Sequence, residues 1–305
     1  RPAQGRRDRG HNAAKMRPRL GLTPASGAAY ALAMPQLSKA VILAAGRGTR
    51  MQQEWPGARI DDAQRRMAEQ GLKGLIPFHG HPFLAYSISA LADAGYREIC
   101  LIVRPDPDPI REYFAAVETR RVRISFAIQS EPLGSAHALL SAEDFAEGEP
   151  FLVVNSDNDY PATVLAAMRD LDGPGLAGFD PDALVSQGNI PPERLAAYAL
   201  VTVDDDGFMT GIVEKPDPAT RRRLEGRSRV SMTCWRFGPG IFDACRRIAP
   251  SPRGEYELPD AVAYAMRALG ERFRVVPVAG PVLDLSNRGD IPSVAAFLEG
   301  RSVCL

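Results

Sequence analysis

The sequence predicts an α/β protein, a doubly wound, Rossmann-like and mainly parallel sheet with an antiparallel extension. Three observations predict it. Apolar runs alternate with helical patterns through the first half, which implies right-handed βαβ units. One run, EICLIV (98–103), is apolar almost throughout, as a strand covered on both faces must be. The second half instead carries AAYALVTVD and FMTGIVEKP around Asp205-Asp206-Gly207, a hairpin signal.

The elements follow in order. AVILAA reads as the first strand, and PFLAYSISALADAG, after a polar stretch, as a helix. EICLIV is the next strand, IREYFAAVE a helix and VRISFAIQ a strand. SAHALLSAEDF is a helix, FLVVNSD a strand and PATVLAAMRDL a helix. After the hairpin come the strand VSMTCWRF, helices near 240–249 and 259–269, and the strand FRVVPV. In open α/β sheets ligands gather beyond the carboxyl ends of the strands. Gly46 to Arg50, Gln129 and Asp157 all follow predicted strands, so this topology brings them together. Pro105, Pro107 and Pro109 make a short stiff loop to which no chemistry is assigned.

Composition narrows the class. Of 305 residues, 45% are hydrophobic and 24% charged, which is ordinary globular usage. Lysine plus arginine and aspartate plus glutamate balance at 37 each, so a general nucleic-acid-binding surface is not indicated. No run of 18 apolar residues suggests a membrane span. Cys100, Cys234, Cys245 and Cys304 are dispersed, which fits buried thiols in a reducing cytoplasm better than a disulfide framework or zinc site. Residues 1–37 are basic at first, lack apolar periodicity, and read as a disordered or loosely ordered extension with Met34 as a candidate start. Residues 38–305 read as one domain, its halves 38–160 and 161–305 lining one cleft.

The most informative stretch joins the first strand to Gly46-Arg47-Gly48-Thr49-Arg50-Met51. Glycines let the backbone close around a ligand, and successive amides make a concave anion site. Arg50 adds a planar fork suited to phosphate oxygens. A Walker loop is excluded by the absence of Gly-Lys-Ser/Thr, and a dinucleotide fingerprint by Met51 where the third glycine would stand. Nucleoside triphosphate binding is the chemistry this suggests.

The strand with GRGTRM resembles the nucleotide-binding loop of the sugar-1-phosphate nucleotidyltransferases. Six further segments resemble that family in the expected order: KGLIPFHGHPFLAY, QSEPLGSAHAL, FLVVNSDNDYP, IVEKP, GEYELPDAV and VLDLSNRGD. The resemblance covers the chain from about Ser38 and is closest in motif to N-acetylglucosamine-1-phosphate uridylyltransferase and glucose-1-phosphate thymidylyltransferase. It implies attack by a sugar 1-phosphate oxygen on the α-phosphorus of UTP or dTTP, with pyrophosphate leaving and Mg2+ as cofactor.

The same resemblance distributes roles. Ala44, Ala45, Gly46, Gly48 and Thr49 would bind the nucleotide, with Arg50 on the β- and γ-phosphates. Lys73 matches the lysine of K-x-L-x-P that contacts the reacting phosphates. The segment between Arg50 and Lys73, EWPGARIDDAQRRMAEQG included, is longer than the family's. Gln129 and the Gly134 backbone would read a pyrimidine edge, while His137 on the next helix is expected to be structural. Asp157 and Asp284 would hold the metal, with Ser156 departing from the usual glycine and Asn287 a rival to Asp284. Tyr198, Ala199, Glu214 and Lys215 would take the sugar phosphate, and Lys215 would also act in catalysis.

The sequence leaves two alternatives open. One is a cytidylyl- or guanylyltransferase acting on phosphocholine or a cyclitol phosphate. Another is a catalytically silent subunit that senses nucleotide sugars. The expected partners are small molecules, with no nucleic acid and no membrane; a homo-oligomer is left open.

Overall fold

The structure, a computed structural model, describes residues 37–305. The expected N-terminal extension falls on residues 1–36, outside the described residues. Leu37 already belongs to the folded domain, where it is buried and its carbonyl accepts a hydrogen bond from Arg169 Nε at 3.1 Å.

The strands are β1 (Lys39–Leu43), β2 (Pro77–Phe78), β3 (His81–Pro82), β4 (Glu98–Val103), β5 (Arg123–Ile128), β6 (Phe151–Asn155) and β7 (Asn158–Asp159). They continue with β8 (Gly175–Phe179), β9 (Ala199–Val203), β10 (Met209–Val213), β11 (Ser228–Phe237), β12 (Arg274–Val278) and β13 (Leu283–Asp284). The main sheet runs β10-β9-β11-β6-β1-β4-β5, with β8 joining β11 to β12. Its β6-β1-β4-β5 part is parallel, whereas β11, β9 and β10 pair antiparallel. The expected mixed architecture is therefore present.

Side-chain alternation explains the double winding. Successive residues of a strand point to opposite faces. Ala40 and Ile42 of β1, with Ile99, Leu101 and Val103 of β4, enter one apolar cluster. Val41, Cys100 and Ile102 enter the other. The first cluster is roofed by α3 (Phe83–Asp93), α4 (Pro109–Ala116) and α7 (Ala162–Asp170). The second is roofed by α5 (Ser135–Leu140), α10 (Gly240–Arg247) and α11 (Leu258–Tyr264). Burial of both faces is why EICLIV can be apolar from Ile99 onward.

Sequence reading misses several elements. β8 is GLAGF, whose two glycines weaken any strand signal. Those glycines are needed for packing: a Cβ on Gly175 would lie 2.4 Å from the Arg274 carbonyl oxygen, and one on Gly178 2.5 Å from Val275 Cγ1. The expected helix from Ser135 to Phe145 is broken into α5 and α6 (Glu143–Ala146). Also unanticipated are α8 (Pro181–Gln187), α9 (Pro218–Leu224) and α12 (Ile291–Leu298). The short α1 (Thr49–Gln52) and α2 (Asp62–Glu69) lie in the long segment before Lys73.

Cys100, Cys234 and Cys245 are buried free thiols, and burial pushes Cys100 up to about 11 and Cys245 up to about 12. Cys304 departs from the expectation of burial and is exposed near the C-terminus. Among the described residues no helix is long and apolar enough to cross a membrane.

Candidate functional site

A cleft of about 540 Å³ opens at the carboxyl ends of β1, β4, β5 and β6. Four chain segments converge there: the loop Ala44–Thr49, Gly71–Gly74 with Lys73, Gln129 with Gly134, and Asn155–Asp157. Each lies where its strand or turn ends, as expected for a doubly wound sheet.

The long segment before Lys73 is accommodated by two facing glycines. Gly48 has φ +61° and Gly71 φ +71°, both in the left-handed region that favours glycine. A Cβ on Gly48 would lie 2.2 Å from the Gly71 carbonyl oxygen, and one on Gly71 2.3 Å from the Arg47 carbonyl oxygen. The two backbones therefore touch. Between them α2 forms a separate capped turn, with Asp61 Oδ1 accepting from Gln64 N at 2.7 Å and Gln64 Oε1 accepting from Asp61 N at 3.2 Å. The extra residues loop out, and Lys73 returns to the cleft. Replacing Gly71 with alanine should destabilise the protein by about 2–4 kcal/mol, from backbone strain plus contact with an unyielding carbonyl. Thermal melting and triphosphate affinity should both fall; a variant unchanged in both would refute the close approach.

Lys73 Nζ donates to Asp157 Oδ2 at 2.9 Å, with the lysine side chain 12% and the aspartate 25% exposed. Asp157 does not cap the following helix, since α7 begins at Ala162 without a side-chain cap. It stands instead beside Asp284. The backbone of Leu285 donates to the Asp157 carbonyl at 2.9 Å, and β7 and β13 pair Asn158 with Asp284. Burial, then the Asp157 carboxylate nearby, raises Asp284 above the ordinary carboxylate range.

Asp284 is tightly held. Its Oδ1 accepts from Asn158 Nδ2 at 3.1 Å and its Oδ2 from Arg194 Nη1 at 2.9 Å. Arg194 also donates to Asp290 Oδ1 at 2.7 Å, and Asp290 Oδ2 accepts from the Ser286 and Asn287 amides at 2.9 and 2.8 Å. Asn287, the sequence-level rival, is a cap: its Oδ1 accepts from Gly289 N at 2.8 Å. Arg288 ties this loop to the glycine loop, donating to the Met51 and Gln52 carbonyls at 2.9 Å each. Those carbonyls are at the end of α1, so the arginine satisfies acceptors a short helix leaves open.

Among the described residues no group of three or more histidine, cysteine, aspartate or glutamate side chains is placed to hold a metal. Magnesium does not require one, since it takes one or two carboxylates and completes its shell with phosphate oxygens and water. Asp157, partly open to the cleft, and Asp284 beside it are the two carboxylates that fit that demand.

The base-side residues are organised by GEYELPDAV. Gly134 has φ +106°, and a Cβ there would lie 2.5 Å from the Tyr256 carbonyl oxygen. Tyr256 N donates to the Leu133 carbonyl at 2.7 Å, Ala136 N to the Tyr256 carbonyl at 2.9 Å, and Leu258 N to Ser135 Oγ at 2.9 Å. Gln129 is buried, its Nε2 donating to the Gly134 carbonyl at 3.1 Å with His137 Nδ1 at 3.5 Å. His137 thus has a structural neighbour, and Gln129 Oε1 is left as the acceptor.

The acceptor residues lie apart from this cavity's lining. Ala199 is buried at the start of β9 opposite Ser231. The Tyr198 hydroxyl is buried close to Asp284, and burial, then the Asp284 charge, raises it above its ordinary range. Glu214 and Lys215 follow β10 as a pair 3.7 Å apart. Burial raises the Glu214 carboxyl, with Glu257 adding to the effect. Lys215 has φ +44°, a strained conformation for a residue with a side chain and a frequent mark of functional segments. The loop carrying Glu257 also sends Glu255 into the cleft.

Arg50 lies exposed on α1 and does not line the cleft, whereas Arg47 does. Arg47, between the glycines, and Arg104 are cleft residues beyond those expected from the sequence. The proline loop positions Arg104: buried Asp108 accepts from Arg104 N and Nε at 3.1 and 3.3 Å while capping α4. Arg194 carried no motif signal at all.

A model of a family described as nucleotidyl transferase matches residues 39–277. The chain is similar to the UTP–glucose-1-phosphate uridylyltransferase AglF of Haloferax volcanii, 30% identical over 81% of this chain and 90% of that protein. It is 28% identical to a glucose-1-phosphate thymidylyltransferase of Streptomyces griseus, over 84% of this chain and 64% of that protein. It is also 30% identical to the bifunctional protein GlmU of Geobacter metallireducens, over 86% of this chain but 50% of that protein. Among solved structures, a UDP-glucose pyrophosphorylase complexed with UDP-glucose shares the fold, with a TM-score of 0.66, 19% identity and coverage of 87% of this chain and all (100%) of that one.

Proposed function

The chain belongs to the nucleotidyl transferase family, and from that premise we propose that it joins UTP or dTTP to a sugar 1-phosphate, giving a nucleotide sugar and pyrophosphate. The observation that carries the reading is the cleft itself, where the glycine loop, Lys73, Gln129 and Asp157 meet. In the reaction a sugar-phosphate oxygen forms a bond to the α-phosphorus, and the bond to the oxygen bridging the α- and β-phosphorus breaks. The electron pair leaves with pyrophosphate. The nucleophile is already an anion, so charge screening and alignment matter more than a general base.

The amides of Gly46–Thr49, with Arg47, would hold the β- and γ-phosphates, and Arg50, exposed on α1 outside the lining, would have to swing toward them to take part. Lys73 would turn from Asp157 toward the reacting phosphates as the triphosphate arrives, and Lys215 would bring a second point charge to the acceptor phosphate. Glu214 would accept from sugar hydroxyls, with Tyr198 and Ala199 shaping that side. Magnesium, held by Asp157 and Asp284, would screen the triphosphate and polarise the α-phosphate when bound.

Relatives named UTP–glucose-1-phosphate uridylyltransferase and glucose-1-phosphate thymidylyltransferase support a uridine or thymidine donor. Gln129, with an acceptor free beside the Gly134 backbone, can pair with a pyrimidine edge. The deciding experiment is a matrix of nucleoside triphosphates against sugar phosphates, read by pyrophosphate release. UTP or dTTP should lead, and Gln129→Ala should flatten the preference, because a site with buried polar groups rejects ligands that leave them unpaired. GTP as the best donor would overturn the assignment of the base.

A further inference from the structure

A second cavity, about 940 Å³, lies away from the reaction cleft on the antiparallel side of the molecule. It shares no lining residue with the first. Its walls are built by β9, β11, α9, the start of α8 and the 3-10 turn Pro192–Ala197.

Arginine dominates its chemistry. Arg221, Arg222, Arg227 and Arg229 face it, against the carboxylates Asp180, Asp182 and Glu225. Asp180 is already engaged: its Oδ1 caps α8, accepting from the Asp182 and Ala183 amides, and its Oδ2 lies 3.5 Å from Arg229. Among the described residues Arg221, Arg222 and Arg227 make no ion pair. Among the described residues the buried Arg221 Nη1 has no hydrogen-bond partner. A buried guanidinium nitrogen without a partner carries a desolvation cost, and a ligand anion in the adjoining space would relieve it. Leu195, Leu200 and Val230 supply an apolar wall opposite the charge. Concave, partly apolar space with a few converging charges is the usual form of a small-molecule site.

The placement also ties the cavity to the cleft. The 3-10 turn that gives Leu195 and Ala196 to the cavity gives Arg194 to Asp284. The α9 helix that supplies Arg221 and Arg222 begins three residues after Lys215, with Asp217 as its cap, accepting from Ala219 N and Thr220 N at 2.8 and 3.0 Å. An occupant would brace both segments.

We propose that this arginine-lined cavity binds a small organic anion, a phosphate or carboxylate carried on an apolar body, at a site separate from the reaction cleft.

The test uses the full chain and two probes, phenyl phosphate and benzoate, in calorimetric titrations up to about 10 mM, the range in which weak anion sites fill. Arg222→Met removes an exposed charge and spares the fold. Arg221→Met removes the unsatisfied group, with its melting curve as the control for folding. Lys73→Met disables the reaction cleft alone. The proposal expects at least one probe to bind the unmodified chain and raise its melting temperature. That binding should weaken about tenfold or more in the Arg221 and Arg222 variants, the usual worth of a charge-assisted pair, and persist in Lys73→Met. Phenyl phosphate binding alone assigns a phosphate ligand, and binding of benzoate as well assigns the broader anion class. Absence of binding by both probes overturns the proposal. So does binding that disappears in Lys73→Met or is equal in Arg222→Met and the unmodified chain.

Discussion

Replacing Asp157 with asparagine is expected to lower turnover by about 10²–10⁴-fold while leaving the fold intact. The substitution keeps size and shape and removes one negative charge at the floor of the cleft. Asp157 is the more open of the paired carboxylates, 25% exposed against 4% for Asp284. It is therefore the better placed to meet a cation arriving with the triphosphate. Its partner Lys73, 12% exposed, borders the open cleft, where water can take the place of the lost carboxylate, so losing the ion pair should cost less stability than at buried Asp284. Asp284→Asn should differ in kind. Arg194 would lose one of its two carboxylates, so stability should drop along with activity. Steady-state kinetics across a magnesium titration, with thermal melts alongside, separate the two variants. Near-normal turnover of Asp157→Asn in limiting magnesium would remove Asp157 from the metal site.

The parallel half of the fold was legible because its strands are buried on both faces. VIL in β1 and EICLIV in β4 have no competing pattern, and helices such as α3 run unbroken between them. β8 was not legible, because the close packing that makes it a strand needs glycines at Gly175 and Gly178, and those glycines erase the strand signal. The arginine helix α9 has no buried residue and so no apolar stripe to find.

For the site, segments that end strands were readable, since topology fixes where they go. Gly46, Gly48, Gln129 and Asp157 are of this kind. Residues that act through long-range pairing were not. Arg194 lies 90 residues from Asp284, and no local pattern announces the contact. The VLDLSNRGD segment was recognised as a motif, but its internal logic appears only in three dimensions. Asp284 faces Asp157, Asp290 gathers the loop amides, and Arg288 reaches across to the glycine loop.

Lys73→Met should separate two quantities that most cleft substitutions lower together. Turnover should fall by about 10²–10³-fold, because the ammonium is lost where charge on the phosphates must be screened. Divalent-cation affinity of the nucleotide-free protein should rise. In the free chain Lys73 Nζ sits 2.9 Å from Asp157 Oδ2, where it neutralises the carboxylate that a cation would use. Methionine fills similar space without charge, so the cation gains an unopposed ligand, and an increase of up to about tenfold is the scale expected for one partly exposed pair. Lys73→Arg keeps the charge, so cation affinity should stay near that of the unmodified chain, while turnover should recover only in part because the fork is bulkier than a point charge. Manganese titration of the nucleotide-free protein by electron paramagnetic resonance reads the affinity directly, and pyrophosphate release reads turnover. Weaker manganese binding in Lys73→Met would show that the lysine orients Asp157 for the metal instead of competing with it, and the lysine would then belong to the metal site and not to the triphosphate.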